Sequence, residues 1–158
     1  MLRSIAVAVV LVLGLAACGN DDDDAVVDDP PPVDAEYSID DQPDDAAARW
    51  VSPSDGDTVS SPVSVEMAAD GIEIVPADNP VAGEGHLHIL VDIGCADPGE
   101  ILPGPSDQAA ADGYLHFGDG STSGEIELEP GTYELCLQIA DGVHRAFGAT
   151  DTIEITVG

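Results

Sequence analysis

From Val63 to the C-terminus, apolar and polar residues alternate in short runs closed by turn-forming residues. Val63, Val65 and Met67 alternate with Ser64, Glu66 and Ala68. Ile126 and Leu128 alternate with Glu125, Glu127 and Glu129. Tyr133, Leu135, Leu137 and Ile139 alternate with Glu134, Cys136 and Gln138, and Ile153, Ile155 and Val157 with Glu154 and Thr156. A period of two is the mark of a strand with one buried face, and no segment sustains the 3.6-residue period of a helix. Asp70-Gly71, Asp119-Gly120, Pro130-Gly131 and Asp141-Gly142 punctuate the runs as turns. A short helical turn near Ser106 to Ala111 is the one exception expected. The fold class is therefore all-β, an antiparallel sandwich of seven to nine short strands. Residues 49–158 supply it, about the length that suits a single small core.

One strand also carries chemistry. Gly83 to Asp92 reads Gly-Glu-Gly-His-Leu-His-Ile-Leu-Val-Asp, with Leu87, Ile89 and Val91 alternating with His86, His88 and Asp92. Two histidines two positions apart on a strand lie on one side, with α-carbons roughly 6.5–7 Å apart. Their rings can converge on one ion. The chain has four histidines, and His116 and His144 follow downstream. In Gly113 to Gly118, Leu115 and Phe117 take one face while Tyr114 and His116 take the other. If the aliphatic residues are core, His86, His88 and His116 point away from it, and strand pairing would gather them on an outer, solvent-facing surface. Three readings stay open: a transition-metal site, a hydrogen-bonding cluster that braces the sheet, and unrelated histidines. Imidazole donors would favour Cu(II) or Zn(II) over magnesium or calcium. Asp92, Asp119 and Asp141, near the histidines in sequence, are candidate acceptors for the imidazole N–H groups. A small ligand on the same face is the alternative occupant.

Between Asp92 and Gly113 lies a stretch without period, with Pro98-Gly99 and Pro103-Gly104-Pro105. It is longer than ordinary loops, which marks it as functional or as an excursion tied down by Cys95 at its start.

The first 48 residues belong to no core. Arg3, an apolar run from Ile5 to Leu15 and the small residues Ala16 and Ala17 form a secretory signal, too short to span a membrane. Leu15-Ala16-Ala17-Cys18 resembles the lipobox of bacterial lipoproteins, which implies cleavage after residue 17, a lipidated Cys18 and attachment to a bacterial membrane on its extracytoplasmic side, periplasmic or cell-surface. Residues 18–48 are Asp-rich and contain Pro30-Pro31-Pro32; like charge and scarce apolar surface predict a disordered acidic tether. With Cys18 set aside, Cys95 and Cys136 form an even pair, most simply a disulfide in an oxidising compartment.

The chain has 158 residues, 32 acidic against 3 basic, and no lysine. Binding to DNA or RNA, which needs cations to neutralise phosphates, is excluded. No Gly-x-Ser-x-Gly elbow is present and no Cys-x-x-His-x-x-Met loop, so a serine hydrolase and a blue-copper site find no support.

Two resemblances add to this reading. The segment Trp50 to Val63, with Pro53, Asp55-Gly56, Val59 and Pro62-Val63, resembles the opening strands of bacterial extracellular immunoglobulin-like modules, which implies an immunoglobulin-like sandwich. The series His86-x-His88-x-x-x-Asp92, Leu115-His116-Phe117-Gly118-Asp119-Gly120, Leu128-x-Pro130-Gly131, Asp141-Gly142-x-His144 and a terminal Ile153-x-Ile155-x-Val157 strand resembles an uncharacterised secreted bacterial family, domain of unknown function 4399. It implies that His86, His88, His116 and His144 form one pattern; where a further histidine is expected after the Pro-Gly turn, this chain has Tyr133. The histidines and the cysteine pair also resemble copper-only relatives of superoxide dismutases. The zinc-loop His/Asp series of those enzymes is missing, and so acidic a surface repels superoxide. The reading is a lipid-anchored extracytoplasmic binding module, more a binding protein than an enzyme, with a structural or adhesion module as the alternative.

Overall fold

The computed structural model describes residues 37–158. The signal segment, Cys18 and the first part of the expected tether lie outside the described residues. Among the described residues nine strands follow in chain order: β1 (Ala47–Ser52), β2 (Thr58–Val59), β3 (Val63–Asp70), β4 (Glu73–Ile74), β5 (Glu84–Val91), β6 (Tyr114–Phe117), β7 (Ser123–Ile126), β8 (Gly131–Ala140) and β9 (Ala146–Val157). A single α-helix, α1 (Asp107–Ala111), lies between β5 and β6, capped by the Ser106 hydroxyl, which accepts from the Ala109 amide. The all-β class, the strand number and the short helical turn follow the sequence patterns. The ladders are mixed rather than wholly antiparallel: β2 and β1 pair with β9 in parallel, and β4 pairs with β5 in parallel. Two-residue strands and a single-pair contact carry these pairings, and segments so short leave no period from which direction can be read.

The hydrogen-bonded order is β4-β5-β8-β9-β1-β3-β7, with β6 on β5 and β2 on β9. β9 joins two wings. Its register against β8 shifts opposite Gln138, and there Gly148, at φ 75°, carries the chain out so that Ala149 donates to the Ala46 carbonyl. Asp151 continues the join with its side chain, accepting from the Trp50 amide, while its carbonyl accepts from the Trp50 indole. One core takes residues from both wings: Trp50, Val63, Val65 and Met67 from β1 and β3, and Leu87, Ile89, Leu135, Leu137, Ile139, Ile153 and Ile155 from β5, β8 and β9.

Ordered chain begins earlier than Arg49. A short 3-10 turn spans Ile39–Asp41, and Gln42 and Ala46 are buried, so residues 37–48, expected within the tether, are part of the folded structure. The reason is a polar one. The Gln42 side chain satisfies backbone groups at Val81, Gly83 and Glu84, a contact that hydropathy does not register.

The Cys95–Cys136 disulfide is formed, with α-carbons 5.5 Å apart. It pins the start of the irregular 93–113 excursion to β8. Beyond it, the Ala96 amide donates to Gln138 Oε1, and Leu102 packs with Leu90, Cys136, Ala140 and Ala146 in a second, smaller cluster. The excursion thus lies over the face of β5 and β8 opposite the main core. Cys136 and Gln138, expected to face solvent, are buried beneath it. Such a cross-link suggests an oxidising, extracytoplasmic compartment. No helix among the described residues is long and apolar enough to cross a membrane.

Closing a loop of sequence separation 41 predicts that Cys95→Ser/Cys136→Ser lowers unfolding stability by about 3–4 kcal/mol, measurable by urea titration.

Candidate metal centre

β5 lies between β8 and β6, and the site grows from that register. His88 stands opposite His116 on β6 and opposite Gln138 on β8; His86 stands opposite Ala140, whose small side chain leaves room for a ring. Leu87 and Ile89 enter the main core, so parity sends His86 and His88 to the other face, as the alternation predicts. That face is not open to solvent. Both histidines have no accessible surface, and only His116 and His144 are partly exposed. This corrects the expectation of solvent-facing rings: the face is right, but it is covered, with the excursion bonded to the His144 carbonyl and Val75, Pro76, Asn79 and Val81 beside His86.

His144 completes the group from the turn after β8, in the left-handed region at φ 69°. The Leu102 amide of the excursion donates to its carbonyl. All four rings lie together, with centroids 4.8–5.6 Å apart. His86 Nε2 and His88 Nε2 are 2.9 Å apart, and His116 Nε2 and His144 Nε2 are 3.0 Å apart. One potential ligand atom from each of the four falls within 4.8 Å of the others. The cluster could hold a metal ion.

Glycine shapes the approach of His116. A methyl group on Gly118 would overlap the His116 ring, so only a bare α-carbon lets the imidazole lie where it does. The sequence placed Gly118 at the end of a strand segment and gave no sign of this role. Gly142 is similar: any side chain there would strike the backbone of Asp78 and Asn79.

The three aspartates expected to support the imidazoles do not hydrogen-bond to them. Asp92 Oδ1 accepts from the Glu134 amide, and Asp119 Oδ1 accepts from the amide and hydroxyl of Ser121. Those bonds from Ser121 hold the exposed Asp119 carboxyl below its usual range. Asp141, fully buried, accepts from the Val143 and Arg145 amides, from Arg145 Nε and from the Tyr37 hydroxyl. Backbone amides next to a carboxylate reach it before a more distant ring can, which is why proximity in sequence misled. Among the described residues, His86 Nδ1 and His88 Nδ1 are buried without a hydrogen-bond partner.

Burial, then the neighbouring histidines, depresses the His86 pKa to about 4 and that of His88 to about 2; for His86 the first neighbours are His116 and His144, and for His88 His86 itself. Burial and the adjacent His144 lower His116 as well, against a small opposing pull from Asp119. Neutral imidazoles are the form that binds metal.

With folded pKa values below the unfolded 6.5, the unfolded chain binds more protons below that pH, so stability is complete above about pH 6.5 and is lost as pH falls toward 4. Between pH 6.5 and 5, above most carboxylate titration, chelator-treated protein should lose stability on the order of 2 kcal/mol per pH unit. Urea midpoints across that range measure it; a flat profile in wild type, or an equal slope in His86→Gln/His88→Gln, contradicts it.

No curated protein matches the chain. A family described as "Domain of unknown function (DUF4399)" matches residues 65–158, a stretch that carries all four histidines, both cysteines of the disulfide and strands β4 to β9. The chain belongs to that family of unknown function, DUF4399.

Proposed function

We propose that the protein binds one divalent transition-metal ion, Cu(II) or Zn(II), through His86, His88, His116 and His144. The convergence of four ring nitrogens from β5, β6 and the turn after β8 carries this reading. Two fully buried imidazoles set Nε2 to Nε2 at 2.9 Å are costly as bare core side chains, because their ring nitrogens are withdrawn from water. Four protein ligands complete a tetrahedral zinc shell and leave no open position for a substrate, which favours binding over catalysis. The donor set contains neither thiolate nor carboxylate, so hard calcium and magnesium ions are poor occupants.

In the same reading the domain is held outside the cytoplasm by lipid on Cys18, with the acidic segment before Tyr37 as its spacer. The lipobox-like Leu15-Ala16-Ala17-Cys18 and the Cys95–Cys136 disulfide support this. Such a protein would keep a metal ion at the outer side of a membrane.

Isothermal titration with Cu(II) and with Zn(II) tests the metal reading directly. One ion per chain is expected, with affinity well tighter than ~10⁻⁴ M, the weak end for extracellular metal modules. Binding should vanish in His86→Ala/His88→Ala; unchanged binding in that variant would sink the idea. Gly118→Ala keeps all four histidines in the sequence but displaces the His116 ring, and should weaken affinity by roughly tenfold or more, as loss of supporting contacts does at other metal sites.

A further inference from the structure

His144 is the one candidate ligand that no strand holds. Its position rests on the turn from Asp141 to Arg145. The His144 amide donates to the Asp141 carbonyl at 2.8 Å, and Asp141 Oδ1 accepts from the amides of Val143 and Arg145 at 3.0 and 2.9 Å. The other carboxylate oxygen, Oδ2, accepts from Arg145 Nε at 2.9 Å and from the Tyr37 hydroxyl at 3.0 Å. Tyr37 comes from 104 residues earlier in the chain and its ring faces the Arg145 guanidinium at 5.2 Å. A buried carboxylate with four donors is a rigid unit, and one of the four is supplied by the N-terminal segment.

That segment also holds the other half of the site. Gln42 Nε2 donates to the Tyr37 hydroxyl and lies within hydrogen-bonding distance of the Val81 and Glu84 carbonyls, while Gln42 Oε1 accepts from the Gly83 amide. Residues 81–84 lead directly into β5, two positions before His86. Tyr37 and Gln42 therefore connect the backbone that presents His86 and His88 to the turn that presents His144. The family match begins only at residue 65, so this contact comes from outside the matched region.

We infer that the segment Tyr37–Gln42 is a latch on the metal site, its docking linked to metal binding so that each favours the other. This rests on the metal reading above. Two events that share one ordered turn are coupled: a docked latch holds His144 where an ion needs it, and an ion holding His144 keeps the Asp141 carboxylate where the latch needs it. By linkage the coupling is the same in both directions. Tyr37 acts through Asp141 and is a positioning residue, not a ligand.

The test uses the detergent-solubilised full chain with Zn(II) as probe. Backbone amides of residues 37–46 should exchange with deuterium more slowly at saturating zinc. Tyr37→Phe keeps the ring beside Arg145 and removes only the hydroxyl, and should raise the zinc Kd by about fivefold or more. Arg49→Ala breaks an exposed pair with Asp70 on β3 and should leave the Kd unchanged. If wild type binds zinc but Tyr37→Phe binds it equally well, or if zinc leaves exchange in 37–46 unaltered, the latch is wrong and the metal site stands. A Tyr37→Phe protein that is less stable in chelator yet keeps its Kd also overturns the latch. Failure of wild type to bind zinc or copper removes the metal reading itself.

Discussion

Two imidazoles without accessible surface, facing each other at 2.9 Å and offering two further nitrogens that nothing among the described residues satisfies, set the terms for the rest of this molecule. Polar groups withdrawn from water must be matched or they destabilise the fold. Each element near them has a part in that arrangement: β6 places His116 opposite His88, the turn after β8 brings in His144, and the excursion closes over the group. The same enclosure that makes the rings costly as bare side chains makes them good neutral donors, because it disfavours their protonated form.

Enclosure is achieved with little apolar material. The roof is an irregular segment whose principal buried anchor is Leu102, and it stays in place through one disulfide, the Ala96–Gln138 hydrogen bond and a short exchange of backbone bonds at residues 99–102 with residues 144–146. A covalent tie suits such a segment, since its own hydrophobic burial is small compared with the entropy of ordering it. The main core lies on the opposite face and is conventional aliphatic packing. The sheet therefore separates a stabilising face from a chemical one, and the two meet only along the backbone of β5 and β8.

What was legible in the sequence was whatever obeys a period. Leu87, Ile89 and Val91 announced β5, and with it the common side of His86 and His88; the parity of Leu115 and Phe117 added His116. The cysteine pair followed from counting. What parity cannot state is whether the second face of a sheet is wet, because the answer lies in a segment distant in the chain and without periodicity. Residues 93–112 gave length, prolines, Cys95 and a short helical turn but no period to place them, so the histidines were expected at the surface, and His86 and His88 are found buried. None of the three aspartates accepts from an imidazole N–H, for a related reason. A carboxylate's partner depends on local backbone geometry, and Asp92, Asp119 and Asp141 each serve nearby amides. Tyr37 and Gln42 escaped notice because they sit in a stretch whose composition reads as disordered, and their contacts are polar and long-range.

The place of β1 has a practical meaning for the family's boundaries. This strand is inserted between β9 and β3, and it brings Trp50 and Ala48 to the main core. The family match starts at residue 65, two residues into β3, and leaves β1 out. A fragment expressed from that boundary would have a gap in the middle of its sheet, with unpaired backbone edges on β3 and β9 and an exposed apolar groove where the indole belongs. Edges of that kind recruit strands from other molecules. The family-matched unit and the folding unit are thus different objects here, and fragments cut at the former would be expected to aggregate for reasons unrelated to their histidines.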